Sequence, residues 1–131
     1  MNEVTITLPY PPSVNHYKKA GRLVKTKRGK IYQQKINTDE TNRFYYEVWF
    51  KVQHMRAKEG LKSFGDAVIS LEVDVYPPDA KKRDLSNILK VLEDSLQKAD
   101  VFKDDYQIAC LKVTRCEIIS QGKIVVRIKA L

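Results

Sequence analysis

The apolar residues of this chain change their spacing several times, and these changes constrain the fold more than any other feature. Alternating apolar residues predict strands, and apolar residues three or four positions apart predict helices. The predicted order is strand, hairpin, helix, strand, helix and two strands, over residues 4–8, 22–33, 38–60, 69–75, 85–98, 107–118 and 123–129. A chain of 131 residues that is 43% hydrophobic suits one compact domain, residues 1–131. We therefore expect a single α+β domain with a mixed β-sheet and two main helices.

The first predicted helix should begin near Asn37 or Thr38 and end near Gly60. Either residue can serve as the N-cap, and Glu40 would suit a capping box that begins at Asn37. Five residues at helical spacing predict the buried face, namely Tyr45, Val48, Trp49, Val52 and Met55. Four aromatic residues cover more than one stripe of this helix, namely Tyr45, Tyr46, Trp49 and Phe50. These rings either fill the core of one subunit or contribute to the interface of a dimer.

The net charge of +8 and the pI of about 9.5 indicate an anionic partner. Seven cations and no acid lie between residues 18 and 30, namely Lys18, Lys19, Arg22, Lys25, Lys27, Arg28 and Lys30. A second basic cluster is Lys81–Arg83. Basic runs are often only solvated surface, but two runs together with the excess charge favour nucleic-acid binding. Because the first run contains no sequence-reading motif, it should contact phosphates and not base edges.

The cysteines and the apolar segments indicate a cellular compartment. Cys110 and Cys116 are six residues apart in a predicted strand, which separates them by about 20 Å. That distance is too long for a disulfide, so we expect two reduced thiols. No apolar run approaches the roughly 18 residues of a membrane helix, and no basic segment with a long apolar stretch precedes the first strand. We therefore expect a cytoplasmic protein that contacts no membrane.

Carboxylates stand beside cations in two segments that flank the second predicted helix, Lys81–Lys90 and Phe102–Asp105. This mixture is typical of enzymes that hydrolyse phosphodiesters with a divalent metal. Carboxylate oxygens bind a hard cation such as Mg²⁺, and Lys or Arg contacts the anionic substrate. Each residue also has a simpler interpretation, because Asp84 can cap the helix and Lys90 can be surface. The pair Asp104–Asp105 can likewise form an ordinary turn.

The spacing of the charged residues permits one site but does not require it. Asn87, Lys90 and Asp94 should share one face of the second helix. A helix over residues 85–98 is about 21 Å long, and residues 99–105 span about 23 Å when fully extended. Asp105 therefore reaches Asp84 only if the chain runs straight back along the helix. Otherwise the two carboxylates belong to separate sites or meet across a subunit interface.

Three motifs resemble those of the RusA-type Holliday junction resolvases. Arg83–Lys90 is similar to the family's R-D-L-D-N sequence with its helical lysine, and Asp104–Ile108 is similar to D-D-x-Q-[IV]. Leu8–Asn15 resembles the family's opening strand and its P-P-S-x-N turn, so the resemblance covers nearly the whole chain. It implies a small homodimeric endonuclease, often encoded by prophages, that depends on Mg²⁺ or on Mn²⁺ as a substitute. Such enzymes bind four-way DNA junctions and nick two opposing strands symmetrically.

The resemblance also implies roles for individual residues. Asp84 and Asp105 match the catalytic, metal-binding carboxylates, with Asp104 as an acidic neighbour that can join them. Lys90 matches the catalytic lysine. Ser86 stands where the family has a second Asp, and its hydroxyl can bind Mg²⁺ only weakly or through water. We expect nine residues to contact DNA, namely Asn15, Lys18, Lys19, Lys25, Lys27, Arg28, Lys82, Arg83 and Asn87.

Three functions are consistent with the sequence. The leading hypothesis is a Mg²⁺-dependent endonuclease that resolves four-way junctions during recombination and repair. The alternative, suggested by Ser86, is a catalytically impaired or non-catalytic protein that binds junction or duplex DNA on the same scaffold. A basic RNA-binding domain would fit the charge, but it leaves the acidic residues unexplained and lacks a glycine–aromatic signature for stacking single strands.

Overall fold

The computed structural model describes residues 3–13 and 18–131 of the chain. In chain order, its regular elements are β1 (Glu3–Leu8), β2 (Lys18–Lys25), β3 (Ile31–Asn37), α1 (Asp39–Glu59), β4 (Ile69–Tyr76), α2 (Leu89–Lys98), β5 (Ile108–Arg115) and β6 (Lys123–Ala130). Two short 3-10 helices, Leu85–Ile88 and Asp105–Gln107, precede α2 and β5. The prediction of one α+β domain with a mixed sheet and two main helices is confirmed.

Four strands form the main sheet in the order β1-β6-β4-β5. Strand β6 is antiparallel to both β1 and β4, whereas β5 is parallel to β4. Strand β4 buries every second residue, and Val73 lies opposite Val126 of β6, which in turn lies opposite Ile6 of β1. These side chains belong to one core cluster together with the buried residues of α1 and α2. Alternation in the sequence therefore produces one apolar sheet face, which the two helices cover.

The two C-terminal strands are linked as predicted, but they are not neighbours in the sheet. Their link turns at Gln121 and Gly122, which both have positive φ angles, 68° and 69°. A side chain at position 122 would come within 3.1 Å of Pro78 and Tyr10, so this turn requires glycine. Strand β5 is also shorter than predicted, and Cys116 lies just beyond its end. Both cysteines are free, as expected.

The basic hairpin forms a separate two-stranded sheet, β2–β3, that is longer than predicted. Its turn lies at Thr26–Lys30, where the Thr26 amide donates to the Lys30 carbonyl and the Gly29 amide donates to the Thr26 carbonyl. Gly29 has a φ of 83°, a left-handed conformation that glycine adopts without steric cost. Most residues of the two strands are exposed. The hairpin is therefore an arm of the domain and not part of its core.

Helix α1 begins after Thr38, whose side-chain oxygen accepts a hydrogen bond from the Thr41 amide at 3.2 Å. The alternative cap at Asn37, with its capping box, was wrong. The helix ends before Gly60, as predicted, and that residue has a φ of 69°. The hydrophobic residues that α1 buries are Phe44, Val48, Val52 and Met55. Trp49, predicted to be buried, is 46% exposed because it lies about 100° around the helix from Val48.

The second helix begins differently from the prediction. Residues Leu85–Ile88 form a 3-10 turn in which the Asn87 amide donates to the Asp84 carbonyl at 3.1 Å. Residues three positions apart eclipse in a 3-10 turn, so this start does not by itself remove Asn87 from the face predicted for Lys90 and Asp94. No helix within residues 3–13 and 18–131 is long and apolar enough to cross a membrane.

Candidate functional site

A short loop between β4 and the first 3-10 helix carries Asp84 and the second basic cluster. Within this loop, both carboxylate oxygens of Asp79 accept hydrogen bonds from the Arg83 guanidinium, and one also accepts the Lys81 amide. These bonds lower the pKa of Asp79 to about 2, mainly through Arg83. The Arg83 guanidinium also lies over the Tyr10 ring, 5.9 Å from its centroid. The loop is thus held in one conformation, and the predicted DNA contact Arg83 is paired with Asp79.

Asp84 itself lies in extended conformation directly before the 3-10 helix, and it is exposed. It occupies the N-cap position that the sequence allowed, but its side chain makes no capping hydrogen bond. The residue borders a cleft of about 440 Å³ lined by Tyr10, Ser13, Lys81, Lys82, Arg83, Asp84, Asn87 and Ile88. One carboxylate, three cations and an amide therefore surround a single cleft, which suits a phosphate with a bound cation.

Lys90, in the first turn of α2, lies between two carboxylates. Its Nζ atom is 3.2 Å from Asp94 and 3.9 Å from Asp105. The hydrogen bond from Lys90 to Asp94 raises the pKa of the lysine, and the charges of Asp94 and Asp105 raise it further. The lysine therefore remains a cation at neutral pH, and 56% of its side chain stays accessible to a phosphate. Lys90 and Asp105, two of the predicted catalytic residues, are thus brought together.

The chain returns from the end of α2 by a sharp reversal. The Val101 amide donates to the Leu96 carbonyl and the Asp100 amide to the Gln97 carbonyl, with Asp100 at a φ of 59°. This is a Schellman motif, usually completed by glycine at the left-handed position. Val101 and Phe102 are then buried, which directs the following residues back along the helix. Of the alternatives that the spacing left open, the chain therefore runs back along α2, and it brings Asp105 to 3.9 Å from Lys90.

Gln107 fixes this returning segment, and the sequence analysis did not identify its role. Its Oε1 atom accepts hydrogen bonds from the Lys103 and Asp104 amides at 2.8 and 2.7 Å. Its Nε2 atom donates to the carbonyls of Gly65 and Ala67 at 2.8 and 2.7 Å. Only 8% of the residue is exposed. The glutamine was visible as the Q of the second motif, but the two carbonyls that it binds belong to residues far away in sequence.

Asp104 has a structural role in the same turn. Its Oδ1 atom accepts the Tyr106 amide at 3.0 Å, and the residue forms a capping box with Gln107. This backbone hydrogen bond is the main cause of the lowered pKa of Asp104. The turn interpretation therefore holds for Asp104, and the position of its neighbour Asp105 follows from this capped turn.

Glu93 is a further carboxylate near Lys90 that the sequence analysis missed. Burial raises the pKa of Glu93, the negative charge of Asp105 raises it further, and Lys90 opposes both effects. The signal for this residue in the sequence was its position one helical turn after Lys90 and next to Asp94, and the structure shows it half-buried. Its proximity increases the negative charge around Asp105.

The donor atoms of the candidate metal ligands fit Mg²⁺ in kind. Asp84 and Asp105 offer carboxylate oxygens and Ser86 offers a hydroxyl, all hard donors that suit this cation. In the part of the chain that the structure describes, however, no three Asp, Glu, His or Cys side chains gather as a metal site. Asp84, which borders the cleft, and Asp105, which lies beside Lys90, are therefore not joined by a third such side chain among the described residues.

The basic hairpin approaches α2 at its base. Lys18 and Asp94 line one depression of about 320 Å³ together with Asn37, Tyr45, Gln97 and Lys98. Farther along the hairpin, Lys19 and Lys25 lie in β2, whereas Lys27 and Arg28 lie in the turn, all exposed. Five of the nine predicted DNA contacts therefore lie on a basic arm that begins next to Asp94, the ion-pair partner of Lys90. The predicted contact Asn15 lies outside the described residues.

A basic arm, a cationic cleft and a lysine between carboxylates are features of proteins that act on phosphodiesters. The family model for the endodeoxyribonuclease RusA matches residues 9–129. A crossover junction endodeoxyribonuclease of Enterobacteria phage HK97 is 31% identical over 131 residues, covering 100% of this chain and 98% of the phage protein. The protein of the same name from Escherichia coli K12 is 28% identical over 127 residues, covering 95% and 92% of the two chains. The chain belongs to the RusA family.

Proposed function

We propose that this protein is a Mg²⁺-dependent endonuclease that resolves four-way DNA junctions by paired nicks. The observation that supports this most strongly is Lys90, held 3.9 Å from Asp105 by a turn that a buried glutamine fixes. The relatives that match nearly the full chain are named crossover junction endodeoxyribonucleases. The positive charge of +8 and the basic arm suit a substrate that is dense in phosphates.

In this proposal, each residue of the site has a distinct task. Asp84 and Asp105 hold the cation, with Ser86 as a weak ligand that binds directly or through water. When bound, Mg²⁺ would supply an activated water and neutralise charge on the leaving 3′-oxygen. Lys90 contacts the scissile phosphate and stabilises its developing negative charge. Lys82 and Asn87, which line the cleft at Asp84, contact the flanking backbone.

The proposal includes a homodimer. A four-way junction has two-fold symmetry, so paired nicks require two sites related by the same symmetry. One chain supplies a single Asp84, a single Lys90 and a single Asp105. Two copies on one junction would therefore place one site at each of the two opposing strands.

A cleavage assay on a synthetic four-way junction tests this proposal. The wild-type protein should nick opposing strands in Mg²⁺ or Mn²⁺, and a chelator should abolish nicking. Asp84→Asn and Asp105→Asn should each lower the rate at least about a hundredfold, since each removes a charged ligand. Asp66→Asn provides a matched control at an exposed position outside the site. Nicking that survives the chelator or either site variant would defeat the proposal.

Ser86 favours a second candidate function, a DNA-binding protein with weak or no nuclease activity. The serine lies in the 3-10 helix that follows Asp84 and brings no negative charge. If Ser86 limits the site, Ser86→Asp should raise the nicking rate about tenfold or more and lower the Mg²⁺ concentration required. Junction affinity without metal should change little. A wild-type protein that nicks rapidly and gains nothing from Ser86→Asp would exclude position 86 as a ligand.

A further inference from the structure

The solvent side of α1 carries three neighbouring aromatic rings. Tyr46, Trp49 and Phe50 are 63%, 46% and 58% exposed. The Tyr46 centroid lies 6.3 Å from that of Trp49 and 6.2 Å from that of Phe50. The opposite side of the helix already supplies its contribution to the core. A cluster of exposed rings on a helix that needs none of them for folding is typical of an interaction surface.

The charges of α1 define what can cover these rings. The first eleven residues of the helix, 39–49, contain three acids and one arginine, for a net charge of −2. The last ten, 50–59, contain three cations and one acid, for a net charge of +2 with His54 neutral, although one of these cations, Arg56, donates to the Ala99 and Asp100 carbonyls of its own subunit. A second α1 laid antiparallel on the first would place each acidic half against a basic half. A parallel copy would bring like charges together.

The edge of the aromatic cluster repeats this pattern on a smaller scale. A groove of about 490 Å³ along α1 is lined by Tyr46, Glu47, Phe50, Lys51 and His54. Glu47 and Lys51 lie on the same side of the rings, one helical turn apart. In an antiparallel second copy of α1, the lysine therefore lies at the level of the glutamate of the first copy, and the glutamate at the level of its lysine. The helix is therefore complementary in charge to its own reversed copy. A nucleic acid suits this surface poorly, because the acids in the first half of α1 would repel its phosphates.

We propose that α1 packs against α1 of a second copy, antiparallel, across a two-fold axis that passes between Tyr46 and Phe50. Glu47 then lies beside Lys51 of the partner subunit, and the same contact is repeated on the other side of the axis. The aromatic rings fill the centre of this interface. This interface would join the two subunits that carry the nuclease sites. The need for a dimer rests on the proposed function.

Charge reversal at this edge gives a direct test by sedimentation velocity. Glu47→Lys and Lys51→Glu should each place like charges in contact and raise the dimer dissociation constant about tenfold or more. An equimolar mixture of the two variants should form a heterodimer about as stable as the wild-type dimer, because every contact is then between opposite charges. In either variant alone, residues 47 and 51 of one helix carry like charges, and mixing does not change this. Recovery of the dimer on mixing would therefore identify contacts between subunits. Glu117→Lys makes the same charge change at an exposed residue outside α1 and should leave the dimer unchanged.

A second variant removes the rings without changing charge. Tyr46→Ser combined with Phe50→Ser should yield monomers at concentrations where the wild type is dimeric, and circular dichroism should show an unchanged fold. A mixture that does not recover, a doubly substituted protein that stays dimeric, or a monomeric wild type would overturn the interface. If the variants still dimerise like the wild type and the protein nicks junctions, the α1 interface is overturned while the proposed function stands. A dimer that depends on α1 in a protein that nicks no junction would support the interface and count against the proposed function.

Discussion

The turn that carries Asp105 and the basic hairpin, which carries eight of the 24 Lys and Arg residues, differ in how firmly their side chains are held. In the turn, Gln107 is 8% exposed and makes four hydrogen bonds to backbone groups. In the hairpin, two strands pair only with each other, and their side chains are mostly exposed. A carboxylate that holds a cation must be placed accurately, whereas phosphate contacts need charge more than geometry. In the proposed function, the turn would meet the first demand and the hairpin the second.

The largest effect is expected from a substitution in the turn that carries Asp105, because the hydrogen bonds of Gln107 fix that turn. Gln107→Ala would leave two amides and two carbonyls without their partner, and we expect the free energy of unfolding to fall by about 3 kcal/mol. Nicking should fall as well, since Asp105 would lose its fixed position. Urea denaturation measures the first effect. Gln97→Ala is the matched control, because Gln97 donates a single hydrogen bond of 3.3 Å, and its effect should stay below about 0.5 kcal/mol.

Changes in the hairpin should affect binding and not stability. Neutralising Lys25, Lys27 and Arg28 together to Gln should reduce the slope of log affinity against log salt by about 2.7, since each neutralised phosphate contributes about 0.9. Junction affinity should be measured between low and moderate salt. The same change at three exposed lysines outside the basic run, Lys58, Lys62 and Lys129, should leave the slope nearly unchanged. An unchanged slope in the hairpin variant would assign its charges to solvent.

The smallest effect concerns the ion pair that holds the loop of Asp84. Because Arg83 lowers the pKa of Asp79 to about 2, the pair stabilises the fold above the ordinary pKa and loses its effect as the pH falls from about 4 to about 2. The difference in stability between wild type and Asp79→Asn should therefore narrow over that range. It should be small throughout, because the pair is exposed to solvent. Unfolding measured from pH ~6 to pH ~2 checks this, and a constant difference would contradict it.

Strands and helices could be predicted from the sequence where their apolar residues repeat at one regular spacing. Residues Ile69 to Val75 alternate and form a strand buried on one face, as alternation requires. The order of strands in the sheet was not predictable, because placing β5 beside β4 depends on contacts between distant segments. The 3-10 start of α2 was missed for another reason, since turns with i+3 and i+4 hydrogen bonds have nearly the same apolar pattern over a few residues.

The residues of the candidate site could be proposed from the sequence, whereas the contacts that hold them could not. The motifs indicated Asp84, Lys90 and Asp105, and the structure places the last two together. The hydrogen bonds of Gln107 to Gly65 and Ala67 could not be inferred, because those residues contribute only backbone carbonyls, which carry no sequence signal. The exposed position of Trp49 was missed because an aromatic residue at helical spacing is usually buried.

The most direct test of the central claim is the substitution Lys90→Met, measured for both nicking and binding of a four-way junction. Single-turnover nicking in Mg²⁺ should fall at least about a hundredfold, because the cation that stabilises the phosphate in the proposed mechanism is removed. Junction affinity without metal should stay within about threefold, since the basic arm is intact. Lys58→Met, at an exposed position near the end of α1, should change neither quantity. Nicking that continues at close to the wild-type rate in Lys90→Met would contradict the account.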